Sequence, residues 1–265
     1  MHVARTGLGA TPSAPRRRRR ALALGALVLA TLGVAVLRAP ATLIDRGLAH
    51  ASAGHFRLAL PVGTLWHGTA RLAASEGSGA LAPLTRLAWD FEPGALRAAT
   101  LRWRLHVDGA SPARLDFGPR GIAIENLLIE LPPAAAFAAV PHAAARAGWR
   151  GILGVRVDHL ACDLAQRCAG RLDVDWRAAG VDILPGVALG DHRLEVALTP
   201  AGATLQVSTL RRQALALDGR IELPTGARPR LTLELGGDAQ LLGRVGGMLA
   251  ELRPTRVGER LRIQY

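Results

Sequence analysis

Two cysteines and a nearby histidine are the residues of this chain that come closest to a chemical motif. Cys162 and Cys168 are its two cysteines, and His159 lies three residues before the first of them. In an oxidising compartment such a pair can close a short loop as a disulfide, whereas a zinc site needs four protein ligands, or three and a water. No fourth ligand follows at a usable spacing. The spacing favours a disulfide over free thiols and favours a metal site least.

The other titratable side chains form no catalytic pattern. The sequence has no G-x-S-x-G, H-E-x-x-H, phosphate-binding or G-x-G-x-x-G motif. Asp173 and Asp175 share one face of a predicted strand, but arginines flank them, so we interpret them as solubilising charges. Other histidines are scattered along the chain, at His50, His55, His67, His106, His142 and His192 among them. We therefore expect no enzyme activity, no catalytic residue, no cofactor, no metal and no small-molecule substrate.

The N-terminus carries a topological signal. Arg16 to Arg20 form a block of five arginines, and Ala21 to Leu37 follow as 17 residues without a charge. A membrane-spanning helix needs roughly 17–25 residues, and a cationic flank stays in the cytoplasm. We predict an uncleaved single-pass anchor in the inner membrane, with the rest of the chain in the periplasm. The alternative is a cleaved signal peptide, because Ala39-Pro40-Ala41 is similar to an A-x-A cleavage site, although its proline and the preceding Arg38 favour the anchor.

The distribution of charge argues against nucleic-acid binding. The formal net charge is +12, but residues 1–38 contain seven of the 33 arginines and no acid. The other 26 arginines face 21 acids, which leaves a net charge of +5 outside the N-terminal segment. A nucleic-acid surface would show a basic stripe with interleaved aromatic residues, and aromatic residues make up 4% of this chain. We expect no nucleic-acid partner.

Period-two alternation dominates the chain after the N-terminal segment. Leu101 to Val107 place Trp103 on one face and arginines on the other, and Arg171 to Arg177 repeat the pattern. Thr199 to Gly202 form a turn signal between two further runs, which predicts a hairpin. The other alternating apolar residues are Leu194, Val196, Leu198, Leu205, Val207, Leu215, Leu217, Ile221, Leu223, Leu231, Leu233 and Leu235. Strands with one apolar face at such spacing predict an antiparallel meander rather than a parallel sheet.

Short helices interrupt the predicted strands. Ala41 to His50 is expected to form a helix at the membrane surface, and Ala134 to Ala147 is alanine-rich with Pro141 as a break. Asp238 is a plausible N-cap for a helix that runs to Arg253. Its apolar stripe predicts a cap over the sheet, with a surface for a partner helix as the alternative. The stripe consists of Leu241, Leu242, Val245, Met248, Leu249 and Leu252. A last strand is predicted over Arg260 to Tyr265.

One local motif is distinctive. Pro61 to Ala70 read PVGTLWHGTA, and within this segment Gly63, Thr64, Leu65, Trp66 and Gly68 form a compact signature. We interpret Gly63–Gly68 as strand, with Trp66 as a buried anchor of the first hairpin. The alternative is that Trp66 is an exposed partner residue. The signature, placed after a single N-terminal anchor, resembles that of type II secretion system protein N (GspN).

The likeness extends along most of the chain from about residue 16. Arg38 to Ala41 with Leu43-Ile44 resemble the family's post-anchor segment, and Leu217-Asp218-Gly219 with Ile221 to Leu223 resemble its β-rich C-terminal half. The resemblance implies an accessory subunit of the inner membrane in the machine that exports folded periplasmic proteins. Other type II secretion system subunits, the inner-membrane platform and the secretin, would be its protein partners. Contacts would use the sheet and its exposed edges.

The resulting fold prediction is mainly β. Residues 1–15 are a disordered cytoplasmic tail, 16–38 are the basic flank and transmembrane anchor, and 39–265 are a periplasmic domain. That domain is an open, curved antiparallel meander, similar in outline to AsmA-like proteins, with one or two short covering helices. Membrane lipids would contact the anchor. The alternative function is that of an AsmA-like envelope protein that handles lipid in an apolar groove, since the apolar residues suit a closed core and an open trough equally.

Overall fold

A computed structural model describes residues 14–76, 80–108, 110–137, 148–182, 184–249 and 252–264. The chain divides into two units, Met1–Ala39 and Pro40–Tyr265. In the first unit, helix α1 spans Ala14–Leu37. It therefore begins inside the predicted tail, which is possible because proline is accepted in the first turn of a helix, where Pro15 lies. Its large apolar side chains from Leu22 to Leu37 are 48 to 70% exposed. Among the described residues, no helix combines the length and the apolarity that crossing a membrane requires, so the anchor at Ala21 to Leu37 stays a prediction.

The second unit is one antiparallel sheet. Helix α2, Thr42–Ala51, agrees with the predicted short helix and precedes the sheet, and a 3-10 helix spans Pro93–Ala98. The strands are β1 Phe56–Gly63, β2 His67–Glu76, β3 Ala80–Phe91, β4 Leu101–Val107, β5 Ala113–Gly118, β6 Gly121–Leu131, β7 Trp149–Cys162, β8 Cys168–Val181, β9 Gly190–Thr199, β10 Gly202–Arg212, β11 Leu215–Pro224, β12 Arg230–Gly237, β13 Thr255–Val257 and β14 Arg260–Gln264.

The strands follow one another in space as they do in sequence. The order is β1 to β12, then β14, with β13 outermost, so β1 and β13 are the two edges of the sheet over the described residues. The predicted hairpin is confirmed, because Val196 lies opposite Leu205 and Leu194 opposite Val207. Leu215 to Leu223 form a single strand rather than two, because Gly219 pairs with Leu233 and the ladder continues through it. The mainly β, open antiparallel architecture is confirmed.

The two faces of the sheet differ in chemistry. Trp103, Leu115, Ile124 and Leu160 are cross-strand neighbours on consecutive strands, and their row belongs to a continuous apolar face. On the opposite face, arginines pair with acids across strands. Arg102 donates two hydrogen bonds of 2.7 Å to Asp116, and Arg193 donates bonds of 2.6 and 2.9 Å to Asp175. The pairs on neighbouring strands are cross-strand contacts of opposite charge that support the register.

Helix α4, Ala239–Met248, covers the C-terminal end of the apolar face. The Asp238 carboxylate accepts a 2.7 Å hydrogen bond from the Leu241 N–H, so the predicted N-cap is confirmed. Leu241 and Leu242 are buried beside Ile263, as predicted for a cap on the sheet. The helix ends at Met248 rather than Arg253, directly after Gly246 and Gly247, each of which costs a helix about 1 kcal/mol relative to alanine.

The alanine-rich segment agrees with the prediction only at its start. Helix α3 spans Pro133–Phe137 and contacts β2 and β7, and Pro133 and Ala135 are buried. The rest of the predicted helix, residues 138–147 with Pro141, lies outside the described residues. The predicted last strand is confirmed as β14, whereas the short outer strand β13 was not predicted.

Candidate functional site

The signature segment is the turn of the first hairpin, not a strand. β1 ends at Gly63 and β2 begins at His67, so the strand interpretation of Gly63 to Gly68 was wrong. Gly63 lies opposite Gly68 in the ladder and has a φ of +100°, a left-handed conformation that glycine accepts readily. The Thr64 hydroxyl accepts hydrogen bonds from the Trp66 N–H at 3.2 Å and the His67 N–H at 3.3 Å. A short hydroxyl side chain that bonds its own turn is a common turn device, which accounts for threonine at this position.

Neighbouring strands hold the turn in place. The Trp89 indole on β3 donates a 3.0 Å hydrogen bond to the Thr64 carbonyl, and the Trp103 indole on β4 donates one of 3.0 Å to the Leu65 carbonyl. The Phe91 N–H donates a third bond, of 2.7 Å, to the next carbonyl. Trp89 and Trp103 are 2% and 8% exposed, so these bonds are in a dry environment, where hydrogen bonds are electrostatically stronger. The turn is therefore a rigid part of the N-terminal core.

Trp66 lies at the margin of that core. It is half-buried, with its ring centroid 4.8 Å from that of Phe91 and 6.3 Å from that of Trp103. Trp66 thus packs against the first hairpin as predicted, but it is only half-buried. Trp89 and Trp103 are the more deeply buried anchors. The sequence signature points to the turn and gives no sign of the two indoles that fix it from 25 and 38 residues away.

Helix α2 closes the outer edge of β1. The Asp45 carboxylate accepts a 2.7 Å hydrogen bond from the Leu58 N–H, and the Ser52 hydroxyl accepts one of 3.0 Å from the Phe56 N–H. At the other end of the strand, the Ala41 N–H donates a 3.2 Å bond to the Gly63 carbonyl. Main-chain groups that an incoming strand would need are thus already paired at both ends of this edge.

An ion pair reinforces the closure. Arg57 donates hydrogen bonds of 2.9 and 2.6 Å to the two oxygens of Asp45, which is buried. The Arg57 hydrogen bond holds the pKa of Asp45 below its ordinary value of 3.8, with help from the Leu58 N–H and against the opposing effect of burial. The carboxylate is therefore charged, and thus acceptor-only, at neutral pH.

The C-terminal edge is different. β13 contains Thr255, Arg256 and Val257, all exposed, and Val257 is 46% exposed. The outer main-chain groups of this strand are those of Arg256, because Thr255 and Val257 pair with β14, and no hydrogen bond reaches them from elsewhere in the described part of the chain. Arg260 and Arg262 on the adjacent β14 both bind Glu234, at 3.0 and 2.7 Å. This edge is short but accessible.

A second accessible surface lies on the apolar face where β4, β5 and β6 meet their turns. The two buried clusters lie around Trp89 and around α4. Leu101, Phe117 and Ile122, at the ends of these three strands, are 37, 37 and 44% exposed. The middle of β7 is buried instead, at Val157, and helix α3 contacts that strand. The face is apolar, partly wet and continuous across neighbouring strands.

The remaining predicted site residues are separate from one another. Cys162 and Cys168 form a disulfide across the turn between β7 and β8. His159 lies beside Glu125, 3.7 Å away, and Asp175 binds Arg193 rather than facing Asp173 as an acid–base pair. Over the described residues, no three His, Cys, Asp or Glu side chains are grouped as metal ligands.

Besides Asp45, a second buried titratable residue was missed. His192 on β9 is 3% exposed between Trp176 and Thr209, and its Nε2 has no hydrogen-bond partner in the described part of the chain. Burial lowers the pKa of His192 below 6.5, although Asp191 and Asp218 oppose the shift. Its position in the alternating run after Gly190 was the available signal, because the run places it on the apolar face.

The chain matches the model of a known protein family. Residues 55–252 match the model described as Type II secretion system (T2SS), protein N. The chain belongs to this family. The match includes the signature turn, the indoles that hold it and helix α4. No curated protein and no solved structure matches the chain.

Proposed function

We propose that this member of the protein N family is an accessory subunit of the type II secretion system in the inner membrane. It would act by protein–protein contact during export of folded proteins across the outer membrane. Family membership supports a role in type II secretion and contact with other components of that system. The inner-membrane platform and the secretin are the proposed partners, and the periplasm is the proposed location of the sheet.

The N-terminal segment supports the proposed anchor. The arginine block precedes 17 uncharged residues, and the apolar side chains of α1 from Leu22 onward are exposed. An arginine-rich flank would keep the N-terminus in the cytoplasm. We expect the segment to remain uncleaved, and N-terminal sequencing of the purified protein that begins at Thr42 would contradict this.

The difference between the two edges of the sheet supports partner contact through one of them. Helix α2 and the residue after it pair the outer N–H groups of Phe56 and Leu58 at the start of β1, whereas the outer main-chain groups of Arg256 on β13 are accessible. An extended segment of a partner can add to a free strand edge by main-chain hydrogen bonds. We therefore assign partner contact to the β13 edge rather than to both edges.

Site-specific photo-crosslinking tests this assignment. A benzophenone side chain replaces Val257 at the β13 edge, and Leu210, which is 51% exposed on β10, provides the control position. Irradiation of membranes should yield adducts with other secretion subunits from position 257 and not from position 210. Equal yields at both positions would contradict an edge-specific contact. Arg256→Pro removes the outward strand donor of β13 and should lower the recovery of partners without changing the melting temperature by more than a few degrees.

A second candidate function is lipid handling on the apolar face. The observation that favours it is the exposure of Phe117 and Ile122 on that face, beside the turn between β5 and β6. The same crosslinker at Ile122 separates the candidates, because a lipid-handling protein should give lipid adducts there. Adducts with protein alone, or none, would remove this candidate.

A further inference from the structure

A bulge in β1 turns two apolar side chains into solvent. Alternation from buried Leu58 would place Leu60 and Val62 on the apolar face, but the register shifts between Ala59 and Val62. After the shift Val62 pairs with Thr69, and Leu60 has a φ of +51°. The two side chains are 76% and 65% exposed. Bulges commonly re-aim side chains, and a left-handed leucine is a strained way to expose an apolar group.

Two arginines that have no ion pair with a described acid lie beside the bulge. Thr69 and Arg71 share one face of β2, so Arg71 is a diagonal neighbour of Val62, and Arg86 lies directly opposite Arg71 on β3. Like charges in such a cross-strand pair repel each other. In the described part of the chain neither guanidinium has an ion pair, although Asp108 lines the same shallow cavity. Other arginines of the charged face, such as Arg102 and Arg193, bind acids, whereas Arg71 and Arg86 face each other, so this pair suits an external anion.

Chain connectivity limits how far this surface can be from the end of α1. Ala41 follows Leu37 by four residues, and its N–H binds the Gly63 carbonyl next to Val62. Four residues span at most about 14 Å. If α1 is the anchor, this part of the hairpin must be within reach of the lipid headgroups, where apolar tips insert and arginines meet phosphates.

We propose that Leu60, Val62, Arg71 and Arg86, the bulge surface, contact the anionic surface of a phospholipid bilayer. The proposal rests on the anchor of the proposed function. The contact would fix the first hairpin and the signature turn at the membrane. Leu60 and Val62 would enter the interface, and the two arginines would bind lipid phosphates.

Fluorescence quenching in vesicles tests the bulge surface with the full-length chain. Cys162 and Cys168 are joined, so an added cysteine is the reactive thiol under non-reducing conditions. The environment-sensitive NBD dye is attached at Leu60→Cys, with Val62→Cys as a second site. Leu210→Cys is the matched exposed control, and Val28→Cys in α1 reports the anchor. The vesicles contain phosphatidylglycerol and phosphatidylethanolamine with brominated lipid as quencher.

We expect quenching at positions 28, 60 and 62 and none at 210. Replacing Arg71 and Arg86 with glutamine should lower the equilibrium for bilayer contact at position 60 by about fivefold per arginine, the effect of one basic residue near an anionic surface. Quenching at 28 without quenching at 60 and 62 would overturn the bulge surface and leave the anchor intact. Absence of quenching at positions 28, 60 and 62 would overturn both the bilayer contact of the bulge surface and the anchor. Equal quenching at 60 and 210, or an NBD shift that needs another subunit, would also overturn the lipid contact.

Discussion

Replacing Asp45 with alanine should open the closed edge of the sheet. The Asp45 carboxylate is the acceptor for the Leu58 N–H, and its two oxygens bind Arg57. Alanine keeps the helical backbone of α2 and removes all three hydrogen bonds. We expect lower stability of the N-terminal core and, because the β1 edge loses its partner, concentration-dependent association of the variant.

The Leu58 N–H sets the expected magnitude. Asp45 is 8% exposed, so the N–H loses a buried, charged acceptor. A hydrogen bond to a charged group contributes about 1.5–3 kcal/mol, and an unsatisfied buried donor costs a similar amount. Arg57 remains solvated, so we assign no energy to its ion pair. An expected loss of about 2 kcal/mol corresponds to a decrease of about 4–8 °C in melting temperature for a domain of this size.

The assay is thermal unfolding of the purified full-length chain, combined with sedimentation at several concentrations. Asp45→Asn retains an acceptor oxygen and should recover part of the loss. Asp182→Ala is the control, because Asp182 also binds an arginine, Arg150 at 3.0 Å, but its side chain is 68% exposed. The control should change the melting temperature by less than about 2 °C.

The same variant predicts a change in pH dependence. The folded pKa of Asp45 lies below 3.8, so its contribution is complete above that pH and is lost as the pH falls from 3.8 through the lower folded pKa. Asp45→Ala should flatten this part of the stability curve. Unchanged melting, unchanged acid dependence and a monomeric variant would together refute the edge-closure argument.

Three further substitutions probe the core. Removing a fully buried aromatic side chain costs about 3–5 kcal/mol, and Trp66→Ala should cost less because Trp66 is half-buried. If the variant melts at the wild-type temperature but loses its secretion partners, Trp66 is a contact residue. Gly68→Ala should cost about 1–3 kcal/mol in chemical denaturation, because its Cβ would lie 2.7 Å from the Trp89 ring, whereas Gly243→Ala, with open space, should be neutral or stabilising. Stability should fall as the pH drops below 6.5, where the unfolded chain protonates His192 before the folded one does, and His192→Phe should remove that slope in melting experiments.

Local patterns predicted the regular parts of the fold well. The strand Leu101–Val107 agrees residue for residue with β4, and Asp238 caps α4 as its side chain and spacing indicated. In both segments, short-range periodicity and one capping side chain decide the structure. The order of the meander also follows, because antiparallel strands joined by short turns pair with their sequence neighbours.

Bulges and long-range bonds explain what could not be predicted. Asn126 has a φ of +56°, and this irregularity breaks the alternation of β6, so the strand was not singled out. The signature turn depends on the Trp89 indole, and the closed edge depends on Asp45 and Leu58, residues 13 or more positions apart. Neither relation leaves a local pattern. The re-aimed Leu60 and Val62 are likewise invisible to a period-two analysis.

Quantitative mass spectrometry of the proteins that co-purify with the full-length chain tests the central claim most directly. The chain is purified through a C-terminal tag from detergent-solubilised inner membranes, and a tagged membrane protein of unrelated function is the control. The secretion role predicts enrichment of the type II secretion platform subunits with the wild-type chain and their reduction with Arg256→Pro. An intact, folded chain that enriches no secretion subunit over the control would contradict it.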